Sequence, residues 1–295
     1  MRGPLRSRVR KNTRLQVLSS ATLVGVLLAT ALVSLAGTGM ASAGLNGNPA
    51  ANLAPVPNFS TSGACAIQGG VSTCANPCIA NVHKWPTSVN STACTNYLLR
   101  AIDRARTSEG LGAMRLPTNW LSLNSSQQIF VVIDLEREAR GLPAYLGLNS
   151  DLTTAALRAA KLGQDPKAAP GFVMGQDASG AAGIDGVWAA GYSALMADYL
   201  WMYDDGWGGK SATPNEDCTS ARAAGCWSHR DEILGSDPGY NPGVGAHCTT
   251  CEVGAAGVSR GSGSFTALIE LPAGAPPAMT FTWARNVVPY LRTRS

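Results

Sequence analysis

Eight cysteines, set behind a leader that addresses the chain to an oxidising compartment, constrain this sequence most. The leader is read in residues 1–43. Arg2, Arg6, Arg8, Arg10, Lys11 and Arg14 precede a mainly apolar stretch from Leu15 to Leu35, and Ala41-Ser42-Ala43 offers the small residues a signal peptidase reads. Cleavage after Ala43 is expected, with an uncleaved anchor as the alternative, since the stretch is long enough to span a bilayer. No later segment is apolar for long enough to do so. Outside the cell an even cysteine count favours disulfides. The eight are Cys65, Cys74, Cys78 and Cys94 in one cluster and Cys218, Cys226, Cys248 and Cys251 in another. Pairing within clusters is expected: Cys218 with Cys226 around a short loop, Cys248 with Cys251 across a hairpin. Cys248-x-x-Cys251 also has zinc-ligand spacing, but a second such pair is missing and oxidation is favoured.

Charge narrows the partners. The chain carries 23 basic and 19 acidic residues. Without the six basic residues of the leader, acids outnumber bases by two, so no global field draws the mature chain to nucleic acid. The charged fraction of 14% and apolar fraction of 45% fit a folded domain with a real core. Residues 44–93, rich in Ala, Asn, Ser, Pro and Gly, read as an irregular cysteine-containing arm, and 94–295 as one domain.

Helical spacing predicts helices over Cys94–Ser108, over a segment ending at Arg140 and opened by a capping box in Ser125-Ser126-Gln127-Gln128, from about Asn149 to Leu162, over Trp188–Tyr203, and over Ser228–Leu234. Gly243–Cys248, Glu252–Ser259 and Ser264–Leu271 are short, Gly-bounded and partly alternating, and predict an antiparallel meander. Helices followed by strands imply a layered α+β domain.

Three segments then carry a resemblance. They are Asp134-Leu135-Glu136-Arg137-Glu138-Ala139-Arg140-Gly141-Leu142-Pro143, Trp201-Met202-Tyr203-Asp204-Asp205-Gly206, and Cys226-Trp227-Ser228-His229-Arg230-Asp231-Glu232-Ile233-Leu234 with Gly243-Val244-Gly245 after it. Their order resembles the CAP superfamily of SCP-like extracellular proteins, in its bacterial, actinobacterial secreted branch, over about residues 94–271. The resemblance implies a three-layer α-β-α sandwich with an antiparallel sheet, and a cleft where two His and two acidic residues can hold a divalent ion. His229 matches the motif histidine and Asp204 the acid after the Trp. Val187 or Trp188 stands where relatives often carry a Glu. No histidine lies between His83 and His229, so at most half of the tetrad is present.

The candidate cleft residues are therefore His229, Asp204, Asp205 and Glu232. A neutral imidazole accepts a proton or ligates a metal, Glu232 shares its helical face, and the aspartates orient the ring or supply oxygen ligands. His229 is the metal ligand if there is one; a divalent cation is the one cofactor considered, and nothing in the sequence requires it. Against these roles stands a purely structural one, with His229 hydrogen-bonded to a carboxylate. Trp207, Arg230 and His247 are candidate ligand contacts, Arg230 being more readily an ion-pair anchor. The aromatic run Trp188, Tyr192, Trp201, Tyr203 and Trp207 suits either a core stripe or a sugar or apolar ligand. No nucleophile elbow, H-E-x-x-H, P-loop or dinucleotide fingerprint occurs. The sequence thus points to a secreted CAP-like domain that binds a small apolar or glycan ligand or a cell-envelope component. The alternatives are a hydrolase of peptide or wall glycan using His229 with Asp204 or Asp205, and a structural module with a vestigial cleft.

Overall fold

The structure is a computed structural model. It describes residues 48–49, 52–53, 65–68, 71–74, 77–78, 91–167, 184–191, 193–208, 218–223, 225–235, 251–258, 263–270, 279 and 281–291, all within the unit Met40–Ser295. The expected leader, His83, Tyr192, the strand Gly243–Cys248 with His247, and Cys248 itself lie outside the described residues.

The domain is α+β. Helix α1 (Thr92–Ser108) is capped by the Ser91 side chain, which accepts from the Cys94 N–H. Helix α2 (Ser125–Ala139) opens on a full capping box, but the cap is Asn124, not Ser125: Asn124 Oδ1 accepts from the Gln127 N–H and Gln127 Oε1 from the Asn124 N–H. Helix α3 (Ser150–Leu162) is capped by Asn149 and stopped by Gly163 in the left-handed region. Helices α4 (Ala194–Tyr203) and α5 (Ser228–Leu234) follow.

Two sheets are present among the described residues. In the arm, β1 (Cys65–Gln68) and β2 (Val71–Cys74) form an antiparallel pair with Cys65 opposite Cys74, so the arm is not wholly irregular. The main sheet has strand order β4-β6-β5-β3-β7, formed by Ile184–Ala190, Ser264–Glu270, Glu252–Val258, Gly147–Leu148 and Phe281–Thr282. It is mixed, which corrects the antiparallel expectation: β3 runs parallel to β5, with Gly147 opposite Glu252. A two-residue strand between two helices leaves no periodicity to read. A second correction concerns Trp188–Tyr203. Its first part is strand β4, where Val187 and Ala189 are buried and Trp188 is half-buried. The helix begins only after Ser193, whose hydroxyl caps it by accepting from the Met196 N–H. Trp188 falls in helical phase with Tyr199 by coincidence of spacing.

Helices cover both faces of the sheet. On one face Leu152 and Ala155 of α3 pack on Leu268, and Ala156 and Ala160 on Ala256. The strands alternate, so Val253, Ala255, Phe265, Ala267 and Ile269 point the other way, into a large core shared with α1, α2, α4 and α5. Cys78–Cys94 and Cys218–Cys226 are disulfides, and Cys251 is disulfide-bonded as well; no cysteine among the described residues is free. No described helix is long and apolar enough to cross a membrane.

The second core is buried but polar. Glu136, wholly buried on α2, lies 3.1 Å from Arg106 of α1, 2.5 Å from Arg140 one turn on, and 2.7 Å from the Tyr203 hydroxyl of α4. Arg140 reaches Glu109 at 2.7 Å, and the other Glu109 oxygen holds Arg230 of α5 at 2.5 Å. Four helices are thereby tied through one chain of alternating charges. Burial alone pushes the Glu136 carboxyl up, but Arg106 and Arg140 outweigh it and hold it below its ordinary range.

Two outcomes test this packing. At Gly254 a Cβ would lie 2.0 Å from the Leu152 carbonyl carbon, so α3 sits directly on glycine backbone. Gly254→Ala therefore destabilises by about 3 kcal/mol or more, read as a fall in melting temperature of at least about 6 °C. Glu136→Gln leaves two buried guanidiniums under-compensated and costs about 3–5 kcal/mol, whereas Glu138→Gln on the exposed side of the same helix costs about 1 kcal/mol or less. Chemical denaturation compares the two.

Candidate functional site

The site is built where α4 ends and α5 begins. Tyr203 closes α4, and Asp204, Asp205 and Gly206 lead out of it. A Cβ at Gly206 would lie 2.3 Å from the Trp227 indole, so glycine is required for the ring to lie on this turn. Trp227 itself holds φ +66°, a left-handed conformation uncommon for a bulky side chain. Its N–H donates to the Asp205 carbonyl at 2.9 Å, and the Cys218–Cys226 disulfide anchors the residue before it. The strained turn aims α5 so that its first turn meets the Asp205 carboxylate.

Asp205 takes the place of the missing side-chain cap. Its Oδ2 accepts from the N–H groups of His229 (2.9 Å) and Arg230 (3.3 Å), while Oδ1 faces His229 Nδ1 at 2.8 Å. The other ring nitrogen, Nε2, lies 3.4 Å from Asp165 Oδ1. Asp165 comes from the loop after α3, on the opposite face of the sheet. That loop hugs the edge strand closely: a Cβ on Gly186 of β4 would meet the Pro166 carbonyl at 2.4 Å. His229 thus joins two helical layers around the β4 edge.

Two carboxylates on one imidazole decide its charge. Burial disfavours the imidazolium, but Asp165 and Asp205 outweigh burial and push the His229 pKa up to about 10. With its pKa pushed to about 10 the ring is a cation at neutral pH, Nδ1 hydrogen-bonded to Asp205 and Nε2 ion-paired with Asp165, which leaves no lone pair for a proton or a metal. Burial raises Asp205, opposed by its bonds to His229 and Arg230. Asp204 points elsewhere. Its Oδ1 accepts from Asn52 Nδ2 at 2.6 Å, and burial, with the neighbouring Asp205 charge, pushes its pKa up to about 7.

The remaining candidates divide. Glu232 is half-buried on α5, and Trp207 is half-buried beyond the Asp205 turn. Arg230 is buried and committed to Glu109 and, at 2.6 Å, to the Met202 carbonyl, with its guanidinium 5.6 Å from the Trp227 ring; it is an internal anchor. Among the described residues no group of three or more His, Cys, Asp or Glu side chains is arranged to hold a metal ion. Asp165 escaped the sequence reading. Its signal was a turn, Gly163-Gln164-Asp165-Pro166, which predicts a helix end but not what the carboxylate will meet.

No protein-family model matches the chain, and no curated protein matches it.

The clamp has a pH signature. The folded pKa of His229 exceeds its ordinary value of 6.5, so its stabilisation is full below about pH 6.5 and is lost as pH rises through about 10. The melting temperature of the wild type should therefore fall between these values relative to His229→Asn. NMR titration of the ring should show it protonated at pH 8; a midpoint near 6.5 would refute the clamp.

Proposed function

We propose that this chain is a secreted CAP-like domain that binds a small ligand or cell-envelope component and does not turn it over. One observation carries the reading: the ring of the histidine in the Trp-Ser-His-Arg motif lies between the Asp165 and Asp205 carboxylates, at 3.4 and 2.8 Å, and two such neighbours favour its protonated form. A general base or a metal-binding imidazole needs a free lone pair near neutral pH, and this ring lacks one. The α+β fold, with helices on both faces of one mixed sheet, is compatible with the layered sandwich this reading implies. The disulfides at Cys78–Cys94 and Cys218–Cys226 suit an extracellular site of action. Binding without turnover falls to the surface at the β4 edge, where the half-exposed Asp165 and the His229 ring offer charge.

The hydrolase reading has its own support in Asp204, whose pKa near 7 suits acid–base work. One experiment separates the two. The oxidised chain from Gly44 is mixed with purified peptidoglycan, sedimented, and the supernatant assayed for new reducing ends and free amines. Co-sedimentation without soluble products is the expected result. Product release that disappears in His229→Asn and Asp204→Asn would establish the hydrolase instead. Failure to co-sediment, with no binding to phospholipid vesicles either, would leave the structural module.

A further inference from the structure

Asn48, Asn52 and Leu53 are bound to the rest of the domain in the manner of a peptide ligand. Asn48 Nδ2 donates to both carboxylate oxygens of Asp231, at 3.0 and 2.8 Å, on α5. Asn52 Nδ2 donates to Asp204 at the end of α4. The backbone of Leu53 is held on both sides: its N–H donates to the Tyr203 carbonyl at 2.9 Å and its carbonyl accepts from the Tyr199 hydroxyl at 3.0 Å. The Leu53 side chain packs against the main core. Backbone bonds, one apolar anchor and two side-chain amides on carboxylates are the elements by which domains recognise short linear segments.

We infer that the surface formed by Tyr199, Tyr203, Asp204 and Asp231 is a peptide-binding site for segments of the pattern Asn-x-x-x-Asn-Leu, and that Asn48, Asn52 and Leu53 occupy it in cis. The inference stands apart from the envelope-binding reading, because the His229 clamp uses none of these four residues. Three features separate a cis ligand from an ordinary packed arm. Among the described residues the attachment is mostly polar, with hydrogen bonds from neutral amides to the carboxyl groups of Asp204 and Asp231, which are themselves 3% and 8% exposed. The sequence from Asn46 to Pro55 contains no cysteine, so no disulfide fixes the segment itself. A single leucine supplies the only large apolar side chain between Asn46 and Pro55. Such a segment is held by its tethering, which supplies a high effective concentration, and leaves behind acceptors that another donor-bearing peptide satisfies.

The test uses the full oxidised chain. Asn48→Ala/Asn52→Ala loosens the strap, and hydrogen exchange at the Leu53 amide reports its detachment; Leu53→Ser is added if that amide stays protected. The probe is a fluorescein-labelled peptide of residues 46–55, with a control peptide carrying Ala at the positions of Asn48 and Asn52, followed by anisotropy. The loosened chain should bind the probe at least about tenfold more tightly than the wild type, whose site is filled, and the control peptide at least about tenfold more weakly. Equal binding by wild type and variant, equal binding of both peptides, or no binding by a variant whose Leu53 amide exchanges freely would overturn the inference. So would a backbone amide at position 53 that stays protected in the triple variant, since the strap would then be fixed by something other than these contacts.

Discussion

The chain of buried charges centred on Glu136 is the constraint on which the rest of this structure depends. Helix α2 runs through the middle of the domain, with every residue from Gln128 to Arg137 buried. A helix buried all round is normally apolar. This one carries Asp134, Glu136 and Arg137 inward, and each must be met by a partner delivered by another element. Glu136 is met by Arg106, Arg140 and Tyr203. Arg137 donates to the Pro143 and Ile233 carbonyls and the Tyr145 hydroxyl, and Asp134 accepts from the Tyr145 N–H. Apolar contacts alone would let α1, α4 and α5 slide on α2 at modest cost. Charge partners do not, because an unpaired ion in the core costs several kcal/mol.

That specification extends to the candidate site. Arg230 enters α5 one residue after His229, and its guanidinium is fixed at Glu109 and the Met202 carbonyl. The position of His229 is thus an indirect consequence of the α1–α2 charge chain. Asp205 then completes it from the other side, binding ring and backbone of the same residue. The motif Trp-Ser-His-Arg-Asp works as a unit: Trp227 turns the chain, His229 faces the sheet edge, Arg230 locks the helix into the core, and Asp231 receives the strap.

Much of the fold was legible in the residues. Helices α1, α3 and α5 and the β5–β6 hairpin are close to their apolar spacing and caps, and the Cys218–Cys226 bridge follows from proximity in a short loop. What was not legible shares one cause, which is that the deciding partner is remote. Strand β4 could not be told from helix at Trp188, because five aromatic and aliphatic residues happen to recur at helical intervals, and the pairing of Val187 with Ala267 that makes it a strand lies about eighty positions away. The mixed sheet follows from two residues, Gly147 and Leu148, too few to show a period. At the site, His229, Asp204 and Asp205 were recognisable as neighbours of a motif. Asp165 was not, since a carboxylate in a turn after a helix is ordinary until the edge of a sheet brings it to an imidazole. Its arrival changes the chemistry from a base to a cation.

This change bears on what a domain with such a motif can become. A histidine poised for catalysis needs one orienting carboxylate and one free nitrogen, as in any base held by a single acceptor. The second carboxylate here occupies that nitrogen. Asp165 sits on a half-exposed loop and is the weaker partner, at the longer distance and open to solvent screening. Retreat of that loop would leave a single-carboxylate histidine, with the ring oriented by Asp205 and its Nε2 open toward the surface. The Asp165 contact is therefore the element that decides whether the second ring nitrogen is ion-paired or open. It depends on the Gly186–Pro166 approach, which allows the loop to round the β4 edge. A larger residue at position 186 would push that loop off the strand and weaken the clamp without touching a residue of the site.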